Sequence, residues 1–141
     1  MAMDDPYNLR RFIEAQELVY ENVCVELQRG QKTGHWMWFI FPQIRGLGTS
    51  ETAQYFAIAN REEAAAYAAH PVLGLRLREC AGLILQLDNK SVEQIFGYPD
   101  NLKFHSSMTL FARAAEDNQV FLEALKKYFS GTLDPQTLTR L

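Results

Sequence analysis

HWMWFIF, residues 35–41, is the stretch on which the fold turns. It is a continuous apolar run bounded by Gly34 and Pro42, and its pattern suits a buried strand as well as a short buried helix. The remainder of the chain decides between the two. No second strand-like run occurs in the 141 residues, and a lone strand leaves its backbone donors and acceptors unpaired. The run is therefore expected to be irregular or briefly helical, inside an all-α protein.

Helical periodicity dominates on both sides of it. Leu9, Phe12, Ile13, Val19, Tyr20, Val23, Cys24 and Leu27 recur on one face, with Arg10, Glu14, Glu17 and Glu21 largely off it. Asp5-Pro6 reads as the start of this helix and Gly30 as its end. After the aromatic run, helices are expected over Thr49–Asn60 and Arg61–Ala69, the second stopped by His70-Pro71. Val72–Leu87 is apolar nearly all round, the pattern of a central helix surrounded by others. Ser91-Val92-Glu93-Gln94 is a capping box that opens one or two turns before Gly97 and Pro99. Asn101–Ala115, Gln119–Phe129 and a short piece capped by Asp134-Pro135 complete the set. The expectation is a single domain spanning residues 1–141, an orthogonal multihelical fold of six or seven helices.

Composition narrows the class. With 48% hydrophobic and 22% charged residues, the chain is an ordinary globule able to bury roughly two-thirds of its unfolded surface, which excludes disorder. It contains no 18-residue uncharged apolar run, and Met1–Arg11 carries charges where a secretory signal carries an apolar core. A formal charge of −3 argues against a nucleic-acid backbone as the main partner. Cys24 and Cys80 sit among apolar residues and read as buried free thiols, which points to a reducing, cytoplasmic compartment. No zinc-type, EF-hand, P-loop or nucleophile-elbow pattern occurs, so no metal or cofactor is expected. Oligomeric state stays open.

Both tryptophans fall in the aromatic run, and two readings of it stand side by side. As a pocket wall, Trp36 and Trp38 stack on a planar ligand while Lys32, His35 and Gln43 orient it. As core, the strip simply plugs the interior. Arg45-Gly46-Leu47-Gly48-Thr49-Ser50 follows, and there glycines permit close backbone approach and a helix entry offers free N–H groups to an anion. The alternative there is a turn with Thr49 or Ser50 as N-cap. Gly74 sits early in the central helix, where it costs about 1 kcal/mol relative to Ala and so suggests a close neighbour. Arg76 and Arg78 are expected in structural ion pairs or a cleft, and Lys103 with Ser106 on one helical face that could meet the aromatic strip.

The segments KTGHWMWFIFPQIRGLGTS, DPYNLRRFIEAQ, EAAAYAAHPVLGLRL and LKFHSSMTLFARA, in that order, resemble the family called domain of unknown function 1810 from about Asp5 to Leu141. The resemblance implies a compact, all-helical, single-domain bacterial protein of uncharacterised function. Some relatives carry a calpastatin-like label, which nothing in a globular sequence supports. The family's motif residues fall on Lys32, His35, Trp36, Trp38, Phe41, Pro42, Gln43, Gly46, Gly48, Ser50, Tyr55, His70, Pro71, Gly74, Arg76, Ser106 and Ser107, and are expected to converge on one cleft. A more distant likeness is to the NADAR family of ADP-ribose N-glycosidases, small helical proteins that cleave a base–ribose bond. Ala53 stands where that family has an acid two residues before Tyr-Phe, and the nearest acid, Glu51, is turned away on a helix.

The function expected from these residues is binding of a small nucleotide-like or ADP-ribose-like molecule. Trp36 and Trp38 stack in this reading, Arg45, Gly46, Gly48 and Ser50 hold an anionic group, and His35, Gln43 and Arg76 orient it, with Lys32 and Ser106 as further ligand-binding candidates. The alternatives are N-glycosidic or phosphate-ester hydrolysis with His35 or Glu51 as acid–base, and a non-enzymatic interaction or structural protein.

Overall fold

The computed structural model describes residues 4–141, so the first three residues of the Met1–Arg11 segment lie outside the described residues. Ten helices are present among the described residues, and no strand: α1 Arg10–Glu17, α2 Tyr20–Arg29, α3 Met37–Ile40, α4 Glu51–Tyr55, α5 Arg61–Ala69, α6 Leu73–Leu85, α7 Val92–Phe96, α8 Asp100–Ala114, α9 Gln119–Phe129 and α10 Pro135–Leu138. The all-α expectation is met, and the count exceeds six or seven because the N-terminal helix divides in two and the aromatic run and the segment after Asp134 each form a short helix of their own.

The first departure is at Leu18-Val19, where the long N-terminal helix breaks in two. Val19 leaves the helical region (φ −133°), and Leu18 is exposed. The two halves serve different neighbours: α1 packs on α3, whereas α2 packs on α6, and one straight stripe cannot face both. Asp5 does cap, accepting from the Leu9 and Arg10 N–H groups at 2.8 and 3.1 Å, but the helix it caps begins at Arg10. The second departure follows Tyr55. Instead of continuing to Asn60, the chain extends, and Ile58 pairs with the segment after the aromatic run through Ile58 N–H to Gln43 C=O (2.9 Å) and Arg45 N–H to Ile58 C=O (2.8 Å). Both isoleucines of this bridge, Ile44 and Ile58, are buried, so core burial outweighs the helical tendency of TAQYFAIA.

α6 is the central helix. It packs against α2, α3, α5 and α9, and buries Leu73, Gly74, Leu77, Cys80, Ala81 and Ile84. His70 does more than precede a proline: its Nδ1 accepts from the N–H groups of Val72 and Leu73 (3.1 and 3.2 Å), supplying partners to the helix start. Gly74 is where α5 crosses closest, since a Cβ there would collide with the Ala68 carbonyl oxygen. Arg78 reinforces the same junction by donating to the carbonyls of Ala68 (2.7 Å), Gly74 (3.2 Å) and Asp117 (2.8 Å). The capping box of α7 forms as expected, and Asn60, Ser50 and Asp134 cap α5, α4 and α10.

Two glycines of α6 make a paired test of this packing. Gly74→Ala is expected to lower unfolding stability by about 1–3 kcal/mol, because α5 must be displaced. Gly82→Ala meets open space and should raise it by about 0.5–1 kcal/mol through helix propensity. Urea melts of both variants check this, and equal effects of the same sign would contradict it.

Candidate functional site

The aromatic run forms one turn of helix, and that choice sorts its side chains. In a helix, successive residues rotate by about 100°, so Met37, Ile40 and Phe41 turn inward together while Trp38 and Phe39 turn outward. Trp36, Met37, Ile40 and Phe41 are buried, with Trp36 only 2% exposed; Trp38 and Phe39 are half-buried. Phe41 meets Phe104 and Phe96 edge-on at 5.0 and 6.0 Å. The strip is thus core for the most part, and Trp38 is the tryptophan left at the surface.

Glu26 on α2 fixes where the strip begins. Its Oε1 accepts from the N–H groups of Thr33 (2.6 Å) and Gly34 (2.9 Å) and from the Trp36 indole N–H (2.9 Å). Burial works against ionisation of this carboxyl, yet the three donors outweigh it and hold Glu26 below the ordinary carboxylate value. Lys32 lies over the Trp36 ring at 5.2 Å and pairs with Asp100 at 2.8 Å. Asp100 also receives Lys103, whose ammonium stands 5.2 Å from the Trp38 ring. A single carboxylate therefore bridges two lysines, one on each tryptophan.

Trp38 opens onto a cleft of about 510 Å³ between the segment 43–53, the N-terminal half of α8 and the start of α10. Gln43, Gly48 and Ser50 line one side, and Lys103, His105 and Ser106 the other. Asp134 closes the third side. Its Oδ2 accepts from the Ser106 hydroxyl (3.0 Å) and from the N–H and hydroxyl of Thr137 (3.2 and 2.6 Å), which leaves Oδ1 as the oxygen not used in the cap. His105 stacks on Phe129 at 4.0 Å, and its Nε2 lies 2.7 Å from the Thr132 carbonyl oxygen. A carbonyl can only accept, so Nε2 carries the proton and Nδ1 is the ring's remaining polar atom.

Of the residues expected to converge, Trp38, Gln43, Gly48, Ser50 and Ser106 share this cleft. The others do not line it. Trp36 is core, and Lys32 is committed to Asp100 and the Gly34 carbonyl. His35 and Arg45 are exposed outside the cleft, as is Glu51. Arg76 sits across the molecule's N-terminal helices, pairing with Glu17 at 3.0 Å and lying over the Tyr20 ring at 4.9 Å. Gly46 faces the Arg140 side chain, and a Cβ at Gly48 would come within 2.5 Å of the Ala53 methyl, so both glycines have packing roles. Ser50 spends its hydroxyl capping Ala53 N–H at 3.1 Å, and the helix it caps has five residues, so the expected anion-binding helix entry is a closed turn. His105, Asp134 and Gln136 were not singled out from sequence. The i, i+3 spacing of Leu102, His105 and the adjacent Ser106 was the available signal for His105, while Asp134-Pro135 is legible only as a cap.

No group of three or more His, Cys, Asp or Glu side chains among the described residues is arranged to hold a metal ion, and no helix there is long and apolar enough to cross a membrane. Over the described residues the class is thus an all-helical single domain with an aromatic-walled polar cleft beside Trp38. Residues 6–141 match the family described as Protein of unknown function (DUF1810), and the chain belongs to it. Among solved structures it is similar to the conserved hypothetical protein Rv1873 from Mycobacterium tuberculosis, at 53% identity over 97% of this chain and 98% of that one, with a TM-score of 0.95. A search of the curated proteins found no match. These comparisons lend no support to the likeness to ADP-ribose N-glycosidases.

If Trp36 and Glu26 anchor the strip, Trp36→Ala is expected to cost about 3–5 kcal/mol and Glu26→Ala about 1–3 kcal/mol in urea unfolding. Because the folded-state pKa of Glu26 is lowered, its stabilisation is present above the unfolded-state value and is lost as pH falls through the folded-state value. The stability gap between wild type and Glu26→Ala should therefore shrink between neutral pH and about pH 3. A gap independent of pH would contradict the anchor.

Proposed function

We propose that the chain binds a small nucleotide-like ligand in the cleft beside Trp38. The carrying observation is that a half-exposed indole, the Lys103 ammonium and the Asp134 carboxylate line one open space of about 510 Å³, within the range of small-molecule sites. Each group matches a different part of such a ligand. Trp38 offers a flat apolar face to a base, Lys103 a cation to a phosphate, and Asp134 Oδ1 an acceptor to a sugar hydroxyl or ring N–H. Gln43 and Gln136 add amide donors and acceptors at the rim. The free thiols support a reducing, cytoplasmic setting for this activity.

Hydrolysis draws less support from these positions. The acid–base groups expected from sequence, His35 and Glu51, lie outside the lining, and Asp134 is engaged as the α10 cap. Binding without turnover is the reading that the side chains favour.

Thermal shift followed by calorimetry against nucleoside mono- and diphosphates, NAD and ADP-ribose tests the proposal. At least one member is expected to stabilise the protein. Trp38→Ala should keep the fold while weakening that ligand by about 1–3 kcal/mol, roughly fivefold to 150-fold in Kd. No stabilisation by any member, or full affinity in Trp38→Ala, would overturn it.

A further inference from the structure

The cysteines read from sequence as buried free thiols are not independent of each other. α2 packs against α6, and at this contact the Cys80 sulfur lies 3.9 Å from the Tyr20 hydroxyl, one helical turn from Cys24 on α2, so both thiols belong to one seam. The Tyr20 hydroxyl joins the two helices: it accepts from the Cys80 S–H at 3.9 Å and donates to Glu79 Oε1 at 2.7 Å. Arg76 stands over the Tyr20 ring and contributes positive charge next to Cys24. Cys80 is fully buried, whereas Cys24 is half-buried and lines a surface cavity of about 400 Å³ with Gln28, Glu79 and Leu83. Gly82 helps keep that cavity open, since nothing lies within 4 Å of where its Cβ would be. None of these residues lines the Trp38 cleft.

We infer that Cys24 and Cys80 form a peroxide-oxidisable dithiol, in which Cys24 meets the oxidant and Cys80 resolves it into a disulfide that cross-links α2 to α6. The division of roles follows from access and charge. Cys24 is the thiol that a small hydroperoxide can reach. The nearby Cys80 is the largest influence on it and favours its thiolate, with Tyr20 and the Arg76 charge adding to it; burial and the Glu79 carboxylate oppose this, and on balance its acidity is raised. Cys80, beside Cys24 and buried, is held as the thiol.

The chemistry balances with a hydroperoxide as the two-electron oxidant. The Cys24 thiolate attacks the terminal peroxide oxygen, an S–O bond forms as the O–O bond breaks, and the alkoxide or hydroxide leaving group takes a proton from water. Cys24 is then a sulfenic acid. The Cys80 sulfur attacks the Cys24 sulfur, the S–S bond forms, and the S–O bond breaks. The departing hydroxide leaves as water with the Cys80 proton. Two thiols and one hydroperoxide thus become one disulfide, one alcohol or water, and one further water.

The test uses the full chain treated with an equimolar amount of hydrogen peroxide, followed by thiol titration, intact mass and peptide mapping. The expected result is loss of both thiols within a monomeric chain, a mass lower by two hydrogens, a mapped Cys24–Cys80 bridge, and full reversal by dithiothreitol. Cys80→Ala should stop at a Cys24 sulfenic acid captured by dimedone, and Gly82→Leu, which adds bulk to the cavity that Cys24 lines while leaving both cysteines in place, should slow oxidation several-fold. Wild-type mapping does not depend on any variant folding. Two intact thiols after treatment, a bridge only between chains, or a product confined to Cys24 in the wild type would each overturn the inference. None of these outcomes bears on nucleotide binding.

Discussion

Three donors converge on one oxygen of Glu26, and much of the molecule is arranged around that point. The N–H groups of Thr33 and Gly34 and the indole of Trp36 all meet Oε1, so the chain leaving α2 enters the core at a set position. Once Trp36 is seated, a single turn of helix disposes of the rest of the aromatic run. Met37, Ile40 and Phe41 complete the interior beneath α6 and α8, and Trp38 emerges on the other side. An extended run would have put Trp36 and Trp38 on the same face, since strand side chains alternate. The helical turn is what separates a structural tryptophan from a surface one.

The same neighbourhood shows how charge is handled next to apolar surface. Lys32 and Lys103 each lie over an indole and share Asp100, so two ammonium groups are kept near the core with one carboxylate between them. Elsewhere Arg11 is nearly buried but fully occupied, pairing with Glu63 at 2.8 Å and donating to the carbonyls of Tyr7, Asn8, Tyr55 and Ala57. Such an arginine ties the N-terminus of α1 to the end of α4 through geometry more than through Coulomb attraction.

Much of the fold was legible because its signals are local. Caps at Ser91 and Asp134, the stop at Gly30, and the all-round apolar pattern of α6 are written in consecutive residues. The misread elements are those decided at a distance. The break at Leu18-Val19 depends on which helices α1 and α2 face, and the loss of helix after Tyr55 depends on Ile58 finding Ile44. The site divides in the same way. Trp38, Gln43, Gly48 and Ser50 are close in sequence and share the cleft, but Asp134 reaches it from the far end of the chain through a hydrogen bond to Ser106. Gly46, Gly48, Gly74 and Arg78 share one feature: the protein's own atoms approach them closely, as the sequence suggested at Gly74 and left open at the other two glycines. A sequence marks such a constraint without saying whether a ligand or a neighbouring helix imposes it.

The separation of the two tryptophans is open to direct measurement, since the chain contains no others. Acrylamide quenching of indole fluorescence in two single-tryptophan proteins, one made by Trp36→Phe and the other by Trp38→Phe, reads the accessibility of each ring. Strong quenching of Trp38 and near-complete protection of Trp36 is the result expected from a helical turn anchored at Glu26. Equal quenching of the two would place both rings on one face and contradict that arrangement.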